Sequence, residues 1–258
     1  MKTKDQVNRI LEVSESPERI ISLVPSITEL LVDLEMDRAM LGRTRFCIHP
    51  AEKVKNIPVV GGVMGLNRHE IDKMQPDLIF ASREENAQNE IMELANDYPV
   101  WVSDVHNLEE ALAMIDSIGK ICGKPERASQ LTEKIREGFR QLDHIPPDII
   151  RAAYLVWNNP LYTINANTFI HDMLKRCGIV NIFADKAVSY PVITEKELRE
   201  RKPDFLFLPS EPYTFKEKDV RNFSRIVPKA EIKRVDGEYF TWYGSHLVDA
   251  PSYFKHLF

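Results

Sequence analysis

The apolar positions of this chain fall into two patterns. Some form short unbroken runs, such as Ile20-Ile21-Ser22-Leu23-Val24, Leu78-Ile79-Phe80-Ala81 and Phe205-Leu206-Phe207-Leu208. Runs of that length fit strands covered on both faces, as in a parallel sheet. Others recur at helical spacing, as in SITELLVDLEM (26–36), LEEALAMIDSIGKIC (108–122) and TFIHDMLKRCG (168–178). The first pattern predicts strands over 19–25, 78–81, 151–156 and 205–208. The second predicts helices over the segments quoted. Ser26 stands where an N-cap belongs, Thr168 or Asn167 caps the later helix, and Gly178 is its stop.

One phrase occurs twice. EIDKMQPDLIFAS (70–82) and ELRERKPDFLFLP (197–209) share a leading Glu and a Pro-Asp pair, 127 positions apart. Proline disfavours the α conformation in the residue before it, so each phrase reads helix, tight turn, buried strand. Each half of the chain therefore alternates strand and helix, the signature of an α/β sheet. Between the halves lies a helical region, broken at Gly123-Lys124-Pro125, with a second helix from Pro125 to about Leu142 and an end at Pro146-Pro147. The expected architecture is two similar α/β lobes with mainly parallel sheets, joined by a single long helix, with a ligand cleft between the lobes. Its divisions are 1–107 for the N-terminal lobe, 108–145 for the linking helical region and 146–258 for the C-terminal lobe. Ligands of open α/β sheets sit beyond the carboxyl ends of the strands.

Composition narrows the function. The chain of 258 residues is 43% hydrophobic and 28% charged, enough for a sizeable core. A net charge of −5 without a basic run argues against a nucleic-acid partner. No apolar stretch is long enough for membrane insertion. Three cysteines are too few and too scattered for a disulfide framework and fit a reducing compartment. The first residues, MKTKDQVNRILEV, contain no signal-peptide h-region. As it stands the sequence reads as cytoplasmic; with a leader removed it would be periplasmic or at the cell surface.

The strand-end loops hold the chemistry. GRTRFCIHP (42–50), VWNNPLYT (156–163), SYP (189–191), PSEPYTF (209–215) and DGEYFTWYGSH (236–246) carry Phe46, Trp157, Tyr162, Tyr190, Tyr213, Tyr239, Phe240, Trp242 and Tyr243. Aromatics beside polar groups such as Glu211 suit a flat or conjugated ligand, which gains stacking area at low entropic cost. Cys47 and His49 are donors for a soft or borderline metal, and Glu84, Glu85, Glu211 and His246 could complete a ligand set with them. There is no G-x-S-x-G elbow, no Walker A loop and no H-E-x-x-H. Gly61-Gly62-x-x-Gly65 does not match a dinucleotide fingerprint.

Together, RIISLVPSITELLVDL, GRTRFCIHP, EIDKMQPDLIFAS and LYTINANTFIHDMLKRCGIVNIF resemble the substrate-binding proteins of ABC importers for vitamin B12, iron-siderophore complexes and haem. The resemblance spans nearly the whole chain. It implies two α/β lobes on a rigid helix, ligand binding without catalysis, no required cofactor, and a metal chelate (cobalamin, haem or ferric siderophore) as the ligand. Compared with the vitamin B12-binding members, Phe46, Tyr162, Tyr190 and the segment Glu238 to Trp242 match ligand-contacting aromatic positions. Val63 replaces a tryptophan that borders the corrin. The glutamates that dock on the permease match His69 and Lys196, with Glu70 and Glu197 one residue later.

The expected function is thus non-enzymatic binding of a cobalamin-like, haem-like or iron-chelate ligand for transport. Its contacts are Phe46, Trp157, Tyr162, Tyr190, Glu211, Tyr239, Phe240, Trp242 and Tyr243. Glu70 and Glu197 face an ABC permease, and the protein is a monomer. The alternative is a cytosolic metal- or metallocofactor-binding protein of the same fold, using Cys47, His49 and cleft carboxylates. A third reading makes the scaffold an enzyme with Glu84 or Glu85 as acid or base.

Overall fold

In a computed structural model of the protein, residues 1–142 and 150–257 are described. Pro146-Pro147 and the expected boundary at 145/146 lie outside that range. The described chain divides into two compact units. The first comprises Met1–Val105, Glu109–Ile135 and Trp242–Val248; the second comprises His106–Leu108, Arg136–Thr241 and Asp249–Phe258.

The first unit opens with an antiparallel pair, β1 (Lys2–Lys4) and β2 (Ile10–Glu12). Next come β3 (Ile20–Ser22), α1 (Pro25–Asp33), β4 (Met40–Arg43), α2 (Ala51–Val54), α3 (Arg68–Met74), β5 (Leu78–Ser82), α4 (Gln88–Leu94) and β6 (Val100–Ser103). The sheet runs β4-β3-β5-β6, all parallel. Every residue of β5 and β6 is buried, as their unbroken apolar runs require. Ile79 and Ala81 pack on Ile71, Ile91 and Leu94 of the flanking helices. Phe80, on the other face, meets Trp101 edge-on at 6.1 Å.

The helical region consists of α5 (Leu108–Ile121) and α6 (Pro125–Arg140). Gly123, with φ +66°, makes the turn between them. Gly119 allows the two helices to touch: a Cβ there would lie 2.2 Å from the Cβ of Ala128. The division between the units falls inside α6, at Ile135/Arg136.

The second unit contains β7 (Ile150–Tyr154), β8 (Leu161–Tyr162), α7 (Phe169–Arg176), β9 (Ile179–Asn181), β10 (Val192–Ile193), α8 (Glu195–Arg201), β11 (Phe205–Pro209), α9 (Glu217–Ile226), β12 (Glu231–Val235), α10 (Glu238–Thr241) and α11 (Ala250–Lys255). Its sheet runs β12-β11-β7-β9, again all parallel. Counted within each unit, both sheets have the strand order 2-1-3-4. The protein is therefore an α/β protein with a duplicated parallel sheet.

Two local expectations have clear outcomes. Thr168 caps α7, its hydroxyl accepting from the His171 N–H, and Gly178 follows the helix at φ +71°. Ser26 does not cap α1. The N-cap is Val24 and Pro25 takes the first helical position, where a fixed φ and a missing N–H cost nothing. Ser26 is thereby drawn into the first turn, buried, with no hydrogen-bond partner for Oγ among the described residues.

Candidate ligand-binding site

In the first unit the strand order reverses between β3 and β5, so the loops leaving the carboxyl ends of these strands and of β4 are where a ligand is expected. The loop after β5 uses most of its polar groups internally. Asn86 Oδ1 accepts from the Ser82 N–H, and its Nδ2 donates to Leu23 O and Val63 O. Ser82 Oγ accepts from the Glu84 and Glu85 N–H groups.

The loop after β4 is more open. Its residues alternate: Arg45, Phe46 and Ile48 face outward, whereas Cys47 is fully buried. Cys47 Sγ lies 3.1 Å from Thr44 Oγ1 and 3.9 Å from Ser22 O. Desolvation pushes its thiol pKa up, which disfavours the thiolate a metal would need. His49 instead packs edge-on against Trp242 at 5.5 Å. Among the described residues, no group of three or more His, Cys, Asp or Glu is placed to hold a metal ion.

Residues Trp242–Val248 pack in the first unit, although the sequence places them deep in the second half. Gly244 makes this possible: a Cβ there would lie 2.4 Å from Ser26 O. The Tyr243 hydroxyl donates to Glu85 Oε1 at 3.1 Å and lies 3.0 Å from the Ser82 hydroxyl, and burial raises its pKa well above the ordinary value. His246 Nδ1 meets the Glu29 carboxylate at 3.2 Å, and its ring lies 5.5 Å from Trp242. Trp242 is 5% exposed and Tyr243 3%. Both were expected as ligand contacts, and both are buried, Trp242 against the rings of His49 and His246 and Tyr243 against the β5 loop.

In the second unit, Trp157 follows β7 and is 42% exposed. Its ring meets Tyr213 at 5.2 Å, and Tyr213 meets Phe215 at 4.8 Å. Tyr162 is half-buried in β8 opposite exposed Val192 of β10, and Tyr190 is half-buried just before that strand. Glu211 accepts from Thr241 Oγ1 at 2.7 Å and is crowded by the backbone at Gly237, where a Cβ would lie 2.8 Å from Glu211 Cγ. Tyr239 is stacked on Tyr253 at 4.3 Å. Phe240, another expected contact, is a core residue: it is fully buried against Tyr154, Phe207 and Phe254. One turn of α10 points it inward while Tyr239 stays at the surface.

Tyr213, Ile48 and Arg45 were not among the expected contacts, although they adjoin ones that were. The outward-inward alternation along 46–48 is the signal that separates Ile48 from Cys47. Glu70 and Glu197 occupy the third position of α3 and α8, donating their backbone N–H groups to the caps Asn67 and Thr194. Glu70 binds Lys73 at 2.8 Å, which lowers its pKa. Glu197 pairs with Lys186 at 2.5 Å and Arg201 at 3.6 Å.

A duplicated parallel sheet with aromatic strand-end loops defines a binding scaffold, and comparison with known proteins agrees. The chain matches the periplasmic binding protein family over residues 20–222 and belongs to that family of solute-binding proteins. The vitamin B12-binding protein of Yersinia pestis (strain Pestoides F) is 29% identical over 196 residues, covering 75% of this chain and 70% of the relative. The solved periplasmic vitamin B12 binding protein of Vibrio cholerae superposes with a TM-score of 0.78 at 22% identity, covering 93% of this chain and 97% of that one. The periplasmic heme binding protein of Vibrio cholerae gives 0.78 at 19% identity, covering 95% and 100%. At these identities the two structures speak for the fold. No helix among the described residues is long and apolar enough to cross a membrane.

Proposed function

We propose that the protein binds a large, flat-faced metal chelate and delivers it to an ABC permease without making or breaking a bond. The candidate ligands are a corrinoid, haem or a ferric siderophore, with a cobalamin-like corrinoid placed first because of the Yersinia relative. The observation that carries this reading is the exposure of large aromatics on strand-end loops: Phe46 at 50% and Trp157 at 42%. Exposed aromatic area at the carboxyl ends of α/β strands is where a conjugated ligand gains most from burial. Tyr162, Tyr190, Glu211 and Tyr239 are further contacts in this reading. Glu70 and Glu197 serve as permease-docking carboxylates. The protein acts outside the cytoplasmic membrane, a location that the family's name supports, and it acts as a monomer. The buried Cys47 thiol disfavours direct ligation of a bare ion.

The test is calorimetry with cyanocobalamin, haemin and a ferric trihydroxamate. One of them should bind at micromolar affinity or better, and Phe46→Ala and Trp157→Ala should each weaken it about tenfold, ~1.4 kcal/mol. Failure of all three to bind, or unchanged affinity in both variants, would overturn the proposal.

A further inference from the structure

The loop after β4 carries a cation beside its exposed aromatic. The Arg45 backbone N–H donates to Gly61 O at 2.9 Å, tying this loop to the glycine-rich loop 61–65. The guanidinium lies over Phe46, its Cζ 5.6 Å from the ring centroid. It also lies close to the backbone of Gly62. A Cβ at that position would sit 2.9 Å from Arg45 Nη2 and 3.3 Å from Nε. Glycine thus leaves the space that the guanidinium fills.

Apart from exposed Arg38, in the turn before β4, the other arginines of the same unit are committed. Arg9, Arg68, Arg83 and Arg127 pair with carboxylates. Arg19 and Arg43 donate to backbone carbonyls. Arg45 is exposed, and among the described residues it makes no ion pair.

We propose that Arg45 reads an anionic group, a carboxylate or a phosphate, on the periphery of the chelate that stacks on Phe46. This rests on the ligand class proposed above and narrows it. A guanidinium presents a planar fork of N–H donors that matches a carboxylate or phosphate in bidentate geometry. With one face on Phe46 and an edge along Gly62, it loses little further freedom on binding. A ligand that covers Phe46 also removes water from Arg45. An anionic ligand compensates that desolvation, whereas a neutral one leaves a cation stripped of water and unpaired. The loop therefore selects chelates that carry a peripheral anion and rejects those without one, such as an uncharged ferric trihydroxamate.

The test uses two pairs of probes, each with and without the anion. Cyanocobalamin has a phosphodiester that dicyanocobinamide lacks. Haemin has two carboxylates that its dimethyl ester masks. Wild type, Arg45→Gln, Arg45→Lys and Phe46→Ala are titrated with all four by absorbance and calorimetry, at low and moderate salt. In whichever pair binds, wild type should prefer the anionic member at least tenfold. Arg45→Gln should lose that preference while binding the anion-free member as wild type does. Arg45→Lys should keep part of the preference, and added salt should erode it only where residue 45 is a cation. Phe46→Ala should weaken both members alike. The pair that shows the effect identifies phosphate or carboxylate as the source. Equal affinity of wild type for both members, or a preference that survives in Arg45→Gln, overturns the role of Arg45 and leaves chelate binding standing. No binding of any of the four probes overturns this inference, whereas chelate binding falls only if the ferric trihydroxamate fails to bind as well. All the variants alter exposed side chains, and unchanged melting temperatures would show that they fold.

Discussion

The repeated phrase does one job in two places. In the first unit Asp77 donates its N–H to Arg19 O, and its carboxylate accepts from the Glu18 and Arg19 N–H groups at 2.8 and 3.1 Å. In the second, Asp204 donates its N–H to Arg151 O at 2.7 Å, and its carboxylate accepts from the Arg151 N–H at 2.9 Å. Each arginine sends its side chain back to a carbonyl at the end of the preceding helix, Arg19 to Gln75 and Arg151 to Arg201. Those helices end alike, with Gln75 at φ 43° and Lys202 at φ 48°. The Pro-Asp turn therefore pins the start of the neighbouring strand in both sheets. Beyond the strands the likeness ends. The loop after β5 is polar and bonded to itself and to Tyr243, whereas the loop after β11 carries Tyr213 out to Trp157. The frame stayed duplicated because strand pairing tolerates little change, while the loops diverged towards binding.

The sharpest way to break this division of frame from site is to truncate one aromatic of each kind. Phe240→Ala empties a fully buried site and should cost about 3–5 kcal/mol. Phe46→Ala removes an exposed ring and should change stability by less than about 0.5 kcal/mol, while ligand affinity falls. Denaturant titration of both variants decides it. A stable Phe240→Ala, or a Phe46→Ala destabilised by more than about 1 kcal/mol, would mean that frame and site have been exchanged.

The frame was legible because it is local. Buried runs such as Leu78 to Ala81 announce a strand covered on both faces, and Pro76-Asp77 and Pro203-Asp204 announce the turn before it. The site was less legible because facing is a tertiary property. GEYFTWYG gives no local reason for Tyr239 to stay at the surface while Phe240, Trp242 and Tyr243 are buried. The return of Trp242–Val248 to the first unit depends on Gly244 meeting Ser26 O, a contact 218 residues distant that no periodicity encodes. Cys47 looked like a metal donor because a loop position says nothing of the Thr44 hydroxyl that receives it.

A smaller effect separates the two Pro-Asp turns. Asp77 accepts two backbone N–H groups and Asp204 one. Hydrogen bonds to a charged group are worth about 1.5–3 kcal/mol when sheltered and less when exposed. Asp77→Ala should therefore cost about 2 kcal/mol and Asp204→Ala about 1 kcal/mol or less. Hydrogen exchange should rise first at the Glu18 and Arg19 amides in one variant and at the Arg151 amide in the other. Equal costs would show that the turn conformation, rather than the carboxylate, holds the strand.

The smallest effect concerns how each repeated helix is clamped. On α3, Arg68 binds Asp72 at 2.7 Å, and the Tyr98 hydroxyl donates to the same carboxylate oxygen at 2.8 Å. On α8, Arg201 holds both oxygens of Asp185, at 2.6 and 3.1 Å. Both carboxyl pKa values are lowered, Asp72 by the Tyr98 hydrogen bond first and Arg68 next, and Asp185 by Arg201. A depressed carboxyl stabilises the fold above its unfolded value, about 3.9, and that help disappears as the pH falls through the lower folded value. Both clamps should thus release on the acid side. Tyr98 adds a second limit. Its pKa is raised by burial and then by the bond to Asp72, so its contribution is complete below the unfolded tyrosine value, about 10, and is lost as the pH rises through the higher folded value. The α3 clamp should fail at both ends of the pH scale and the α8 clamp only in acid. Carboxyl-carbon NMR titration of wild type and Tyr98→Phe reads this directly. The variant should return Asp72 towards the ordinary aspartate value, leave Asp185 where it was, and flatten the alkaline fall in stability. An Asp72 midpoint that did not move would assign its depression to Arg68 alone and make the two clamps equivalent.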